Sequence, residues 1–92
     1  MFRFPDSVTF DTAPAALEQA AQALAQPQPM FDLGGCRQFD SSLLAVLLEL
    51  SRRAAARGLR CAFQQPAPNL RKLAHLYGVD AMLFDVSADT AA

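Results

Sequence analysis

The sequence predicts an α/β fold: a mixed, largely parallel sheet with helices packed on it. Short runs of aromatic and β-branched residues alternate with longer stretches whose apolar residues recur at helical spacing. Pro, Gly and capping residues fall where one pattern gives way to the other. The resulting order is strand, strand, helix, strand, helix, strand, helix, strand, and repeated strand-helix-strand units imply crossovers into a parallel sheet.

Residues 2–4 and 7–10 read as two short strands, because Phe2, Phe4, Val8 and Phe10 alternate with polar residues on either side of Pro5 and Asp6. A Pro-Asp pair favours a turn, so an antiparallel start is expected. Asp11 or Thr12 caps the next helix and Pro14 lies in its first turn, with Leu17, Ala20, Ala21 and Leu24 as the apolar stripe. Pro27 and Pro29 end it. Met30, Phe31 and Leu33 form a short buried strand, and residues 34–38, beginning Gly34-Gly35, form the connection to the next helix.

The longest element is predicted over residues 40–58. It opens on Asp40, Ser41 and Ser42, carries Arg52, Arg53 and Arg57 near its end, and stops at Gly58. Residues 59–63 then read as a strand, residues 64–68 as a loop, Asn69 as the cap of a helix through Tyr77, and Gly78 as its stop. A last strand is expected over residues 79–84. Residues 85–92 lack hydrophobic periodicity and read as a frayed tail, so the whole chain, residues 1–92, is expected to be one domain with its core in residues 2–84.

Composition narrows the function classes. At 92 residues, 52% of them hydrophobic and 18% charged, the chain has enough apolar surface for one core. A net charge of −1 supplies no single-signed field, so nucleic acid is not expected as a partner. Cys36 and Cys61 form no CxxC pair and His75 is the single histidine, so neither a metal site nor a disulfide framework is indicated. The start of the chain lacks a secretory pattern, and no run reaches the roughly 18 apolar residues of a membrane span. A cytoplasmic protein without direct membrane insertion is expected.

No catalytic or cofactor-binding set emerges. The Gly34-Gly35 pair is a turn and not a phosphate cradle, since neither GxxxxGK[ST] nor GxGxxG occurs. Asp32 and Asp40 flank that turn as the one candidate carboxylate pair, yet nothing else supplies an electrophile, metal or binding cleft. His75 stands beside Arg71, Lys72 and Tyr77 as a surface residue. The cluster Arg52, Arg53, Arg57 and Arg60 is the best candidate for a basic interaction patch, yet it also suits a helix C-terminus, and Glu49 is placed to pair with Arg53 four residues on.

The long helix carries more apolar residues than one buried face requires. At about 100° per residue, Leu43, Val46, Leu47, Leu50 and Ala54 share the core side. Ser41, Leu44, Ala45, Leu48 and Arg52 follow one another at spacings of three or four and form a second stripe beside it. That stripe is either a partner-binding surface or packed beneath a neighbouring element. Ser41 and Ser42 either cap the helix or place a hydroxyl within reach of a kinase.

These residues resemble the STAS domain family over residues 8–84. The resemblance rests on Phe31-Asp32-Leu33, a short loop, and then Phe39-Asp40-Ser41-Ser42-Leu43-Leu44-Ala45-Val46-Leu47-Leu48. In anti-sigma factor antagonists of this family the hydroxyl residue after the Asp is phosphorylated, which the resemblance carries onto Ser41. Asn69-Leu70-Arg71-Lys72-Leu73-Ala74-His75-Leu76-Tyr77-Gly78-Val79 is similar to the small STAS subunit of the Mla phospholipid-transport complex of Gram-negative bacteria. Most members have Gly two residues after the hydroxyl residue, where this chain has Leu43.

The resemblance implies a non-catalytic accessory subunit without a cofactor, bound to the cytoplasmic ATPase of an ABC-type phospholipid transporter that serves outer-membrane lipid asymmetry. The partner-binding residues so implied are Asp40, Ser41, Ser42, Leu44, Ala45, Leu48 and Arg52, with Arg71 and His75 from the following helix. Through that partner the chain would lie at the inner face of the inner membrane. The alternative is an anti-sigma factor antagonist in a partner-switching pathway, controlled by phosphorylation at Ser41, with an anti-sigma factor/kinase as its partner.

Overall fold

Two bent arms of extended chain run side by side in the computed structural model, which describes residues 1–84. One arm is β1 (Phe2–Arg3) followed by β2 (Ser7–Val8), and the other is β3 (Met30–Asp32) followed by β4 (Gln38–Phe39). β1 pairs in parallel with β3, with Phe2 opposite Phe31 and Arg3 opposite Asp32. Past the bend, β2 pairs in parallel with β4, with Val8 opposite Phe39. β5 (Ala62–Gln64) joins the other edge of β3, so the larger sheet has the order β1-β3-β5, all parallel.

The expected antiparallel start is therefore corrected. Pro5 and Asp6 bend the chain without reversing it, and the Asp6 carbonyl accepts the N–H groups of Arg37 and Gln38 at 2.9 and 3.0 Å. The pairing partner thus comes from a distant segment. β4 itself lies where the sequence suggested only a loop. The tail, residues 85–92, lies outside the described residues.

Parallel register puts Phe2, Phe31 and Phe63 in one row across the larger sheet. Phe31 and Phe63 stack with ring centroids 5.4 Å apart, and Phe4 reaches Phe31 at 6.2 Å. Phe4, Phe31 and Leu33 are almost completely withdrawn from solvent. Each such side chain contributes about 1.5–3 kcal/mol by burial.

Helix α1 (Ala13–Ala21) runs on into a 3-10 turn, Gln22–Ala25, and packs on α2 (Ser41–Ala56). Thr12 precedes it, but its hydroxyl accepts the Thr9 N–H at 2.9 Å and makes no cap bond to α1. The buried line is Ala13, Ala16, Ala20 and Leu24, while Leu17 and Ala21 stay half-buried. Small side chains let the two helix backbones approach, which moves Leu17 to the edge of the contact. Arg57 Nη1 donates to the Leu24 carbonyl at 3.0 Å and ties the far ends of the two helices together.

Both glycine stops are found as expected. Gly58 and Gly78 each have φ of +74°, a conformation that favours glycine. Leu59 N–H reaches the Ala54 carbonyl at 2.8 Å, and Val79 N–H reaches that of Ala74 at 2.9 Å, closing the two helix ends in the Schellman manner.

Three later boundaries differ from expectation. β5 begins at Ala62, so Leu59 to Cys61 approach it as irregular chain. Helix α3 (Pro68–Leu76) starts ahead of Asn69, with Ala67 as its cap residue, because Pro68 is already suited to a first helical position. The expected last strand is helix α4 (Asp80–Phe84). Alternation would have buried Val79, Ala81 and Leu83 together, whereas the helix buries Leu83 and Phe84 and leaves Ala81 and Met82 outside. A short apolar run is compatible with either periodicity, and α4 settles as a helix against α3 and β5.

Candidate partner-binding site

The N-terminus of α2 is built on Asp40. Its extended backbone, with φ of −123°, sets the side chain over the first turn, where Oδ1 accepts the Ser42 N–H at 2.9 Å. Its other oxygen, Oδ2, accepts the N–H of Phe10 at 3.0 Å, thirty residues earlier. One carboxylate thus caps α2 and fixes the segment leading into α1. The Ser42 amide first, then the Ser42 hydroxyl and the Phe10 amide, hold the Asp40 carboxyl below its ordinary pKa.

That shift has a definite pH sign. A depressed carboxylate stabilises the fold fully above its ordinary value of 3.8 and loses the effect as pH falls through the lower folded value. Amide exchange at Phe10 and Ser42 should therefore accelerate together as pH falls below that ordinary value, after correction for intrinsic exchange. Asp40→Ala should show the faster exchange at neutral pH. Equal protection in Asp40→Ala and wild type would show that the clamp does not hold the segment.

From this cap the exposed side of α2 runs through Ser41, Ala45 and Arg52, all exposed, with Leu48 half-buried at its flank. Leu44, expected on the same stripe, is only 3% exposed and belongs to the core. The inward side holds as expected: Leu43, Val46, Leu47, Leu50 and Ala54 are all buried. Leu44 joins them because the fold covers α2 over a wider arc than one helix face.

Glu49 lies on this side of α2 as a clasp. It accepts from Arg52 Nε at 2.9 Å and Nη2 at 2.6 Å, and from Arg53 Nε at 2.8 Å. These bonds, that of Arg52 foremost, bring its pKa down to about 2. The expected Glu49 to Arg53 pair is present, and Arg52 shares it. Of the arginine cluster, Arg52 and Arg53 are thus engaged with Glu49 and Arg57 with a backbone carbonyl.

A groove borders each flank of the exposed stripe. Towards the C-terminal half of α2, Leu48, Arg52, Arg60 and Met82 line a depression of about 470 Å³ between α2 and α4. Towards the N-terminal half, Phe10, Ala13, Pro14, Leu17, Ala45 and Val46 line one of about 330 Å³ between α1 and α2. Phe10 and Met82 are 79% and 67% exposed. Neither stands out in the sequence, because both fall in stretches whose pattern predicts strand. An aromatic residue directly ahead of the cap signals Asp11-Thr12 is the clue available for Phe10.

Arg71 and His75 are exposed on α3, which packs chiefly on α4. They form a separate face, and His75 Nδ1 lies 3.2 Å from Asp80 Oδ2. Asp32 and Asp40 are both occupied by main-chain donors, Asp32 Oδ1 accepting the Gly34 N–H at 2.8 Å. Cys36 and Cys61 are free thiols, and burial pushes the pKa of both upward, with Asp6 adding to the rise at Cys36. Among the described residues no three His, Cys, Asp or Glu side chains converge as a metal site, and no helix is long and apolar enough to cross a membrane.

Comparison with known proteins gives one result of substance: the family described as "Mlab, STAS domain" matches residues 6–84. No curated protein and no solved structure matches the chain.

Proposed function

The chain belongs to the Mlab-type STAS domain family, and from that premise we propose that it is an accessory subunit bound to the cytoplasmic ATPase of an ABC-type phospholipid transporter. STAS domains are generally non-catalytic and mediate protein–protein interactions. The observation that carries the reading is the exposed side of α2, where Ser41 and Ala45 stand at a helix start braced by Asp40. By the resemblance of the Asp40-Ser41 segment, Ser41 would take the hydroxyl position of the family. Ala45, Leu48 and Arg52 continue the contact along α2, while Arg71 and His75 offer a second contact on α3. In this reading the chain works in the cytoplasm and reaches the membrane only through its partner.

Ala45→Arg tests the surface directly. Ala45 is exposed on an intact helix, so the variant should melt as wild type does. Titration against the ATPase subunit of the host's phospholipid transporter should show affinity reduced tenfold or more, as expected for a clash at the centre of an interface. Failure of the wild-type chain to bind that subunit, or equal binding by Ala45→Arg, would overturn the proposal. Capture of an anti-sigma kinase that phosphorylates Ser41 would replace it with the signalling role.

A further inference from the structure

The surface around the groove between α1 and α2 has a one-sided chemistry. Residues 4–36 include Asp6, Asp11, Glu18 and Asp32 and contain no Lys or Arg, and residues 38–51 add Asp40 and Glu49, again with no Lys or Arg. Glu49 is neutralised by Arg52 and Arg53, and Asp32 belongs to the Gly34 turn, which borders a different hollow with Gln65 and Pro66. The acids that adjoin groove-lining residues in the chain are Asp11, after exposed Phe10, and Glu18, after Leu17, together with Asp40, which holds the Phe10 amide. The floor is apolar: Ala13, Pro14, Leu17, Ala45 and Val46.

Phe10 is the feature that makes this groove more than a seam between helices. A phenyl ring 79% exposed loses the stabilisation that burial would bring. Its backbone is nevertheless held by a charge-assisted hydrogen bond to Asp40. The residue is therefore anchored at the groove, which Ser42 and Ala45 of α2 also line.

We propose that this groove receives an apolar side chain of a partner protein segment whose flanking residues are Lys or Arg. The inference rests on the reading of α2 as the docking surface and adds the chemistry of what docks. An apolar side chain covers Phe10 and the alanine floor, and its cationic neighbours meet Asp11, Glu18 and Asp40. An anionic segment would meet three like charges, which disfavours it.

The test uses the full chain and two synthetic helical peptides with the same leucine face, one flanked by Lys and the other by Glu. The Lys peptide should bind at least tenfold more tightly, weaken as salt is raised, and shift the amide resonances of Phe10, Ala13, Leu17 and Ala45. Phe10→Ser and Glu18→Lys, both at exposed positions, should each reduce that binding at least threefold without lowering the melting temperature. Equal binding of the two peptides, preference for the Glu peptide, or shifts confined to α3 and α4 would overturn the proposal. So would a dimer of this chain, seen in sedimentation, that Phe10→Ser abolishes, since the occupant would then be a second copy. Titration with the ATPase subunit separates the two readings. If the subunit binds but ignores Phe10→Ser and Glu18→Lys, the groove proposal falls alone. If the Lys peptide behaves as expected and the subunit never binds, the groove proposal stands and the transporter assignment falls.

Discussion

Leu47→Ala should lower folding stability by about 2–5 kcal/mol, the usual range for emptying a fully buried leucine site. Leu47 has no exposed surface and lies between Leu43 and Leu50 on the inward side of α2. Leu44→Ala should fall in the same range, because Leu44 is also in the core. Leu48→Ala should cost less, since Leu48 is half-buried at the edge of the groove towards Met82. Urea unfolding of the three variants would establish the order, and binding to the ATPase subunit would add the functional half. Leu48→Ala should weaken the complex in molecules that remain folded. If Leu48→Ala unfolds as readily as Leu47→Ala, the C-terminal half of the stripe is core and contact is confined to Ser41, Ala45 and Phe10.

Phe31→Ala should have the larger effect, about 3–5 kcal/mol. Phe31 is on the central strand of the larger sheet, is 0% exposed, and touches three aromatic rings. Its ring stacks on Phe63 at 5.4 Å and meets Phe4 and Phe2 edge-on or tilted at 6.2 and 6.4 Å. The variant loses the transfer energy of one ring and leaves a cavity lined by the other three. A small domain has only about 5–15 kcal/mol in total, so a markedly lower urea midpoint is expected. Phe31→Leu, which keeps apolar volume, should recover much of the loss. Stability near wild type in Phe31→Ala would mean that the row across β1, β3 and β5 does not hold the sheet.

The two leucine positions show how far periodicity alone reaches. Spacing along α2 places Leu47 inward and Leu48 at the flank, and the structure agrees with both. The same spacing places Leu44 at a flank, yet it is buried. An angular position says which side of a helix a residue occupies, but not how wide an arc the neighbouring elements cover.

Much of the site was legible because its signals are local. Asp40 with two serines after it is a helix start whatever surrounds it, since the cap satisfies amides that the helix itself leaves unpaired. Gly58 and Gly78 end their helices for an equally local reason, a left-handed backbone that favours glycine. The α/β class follows from alternating periodicities, and the family resemblance from the segment around Asp40 and Ser41, with the family match over residues 6–84 in agreement.

What the tertiary structure decided depends on residues far apart in the chain. β2 pairs with β4 across some thirty positions, so no turn signal at Pro5-Asp6 could reveal the strand's direction. α4 is a helix because Leu83 and Phe84 find their burial there, while its five residues carry too little pattern to choose between periods of 2 and 3.6. Phe10 enters the candidate site through the bond its amide donates to Asp40 and through the groove it lines with Pro14 and Ala45. Local sequence set the start of α2 at Asp40 and the stops at Gly58 and Gly78, because caps and stops act within a few residues. Long-range contact set pairing, burial arc and the composition of the candidate docking surface, because those energies exist only once distant segments meet.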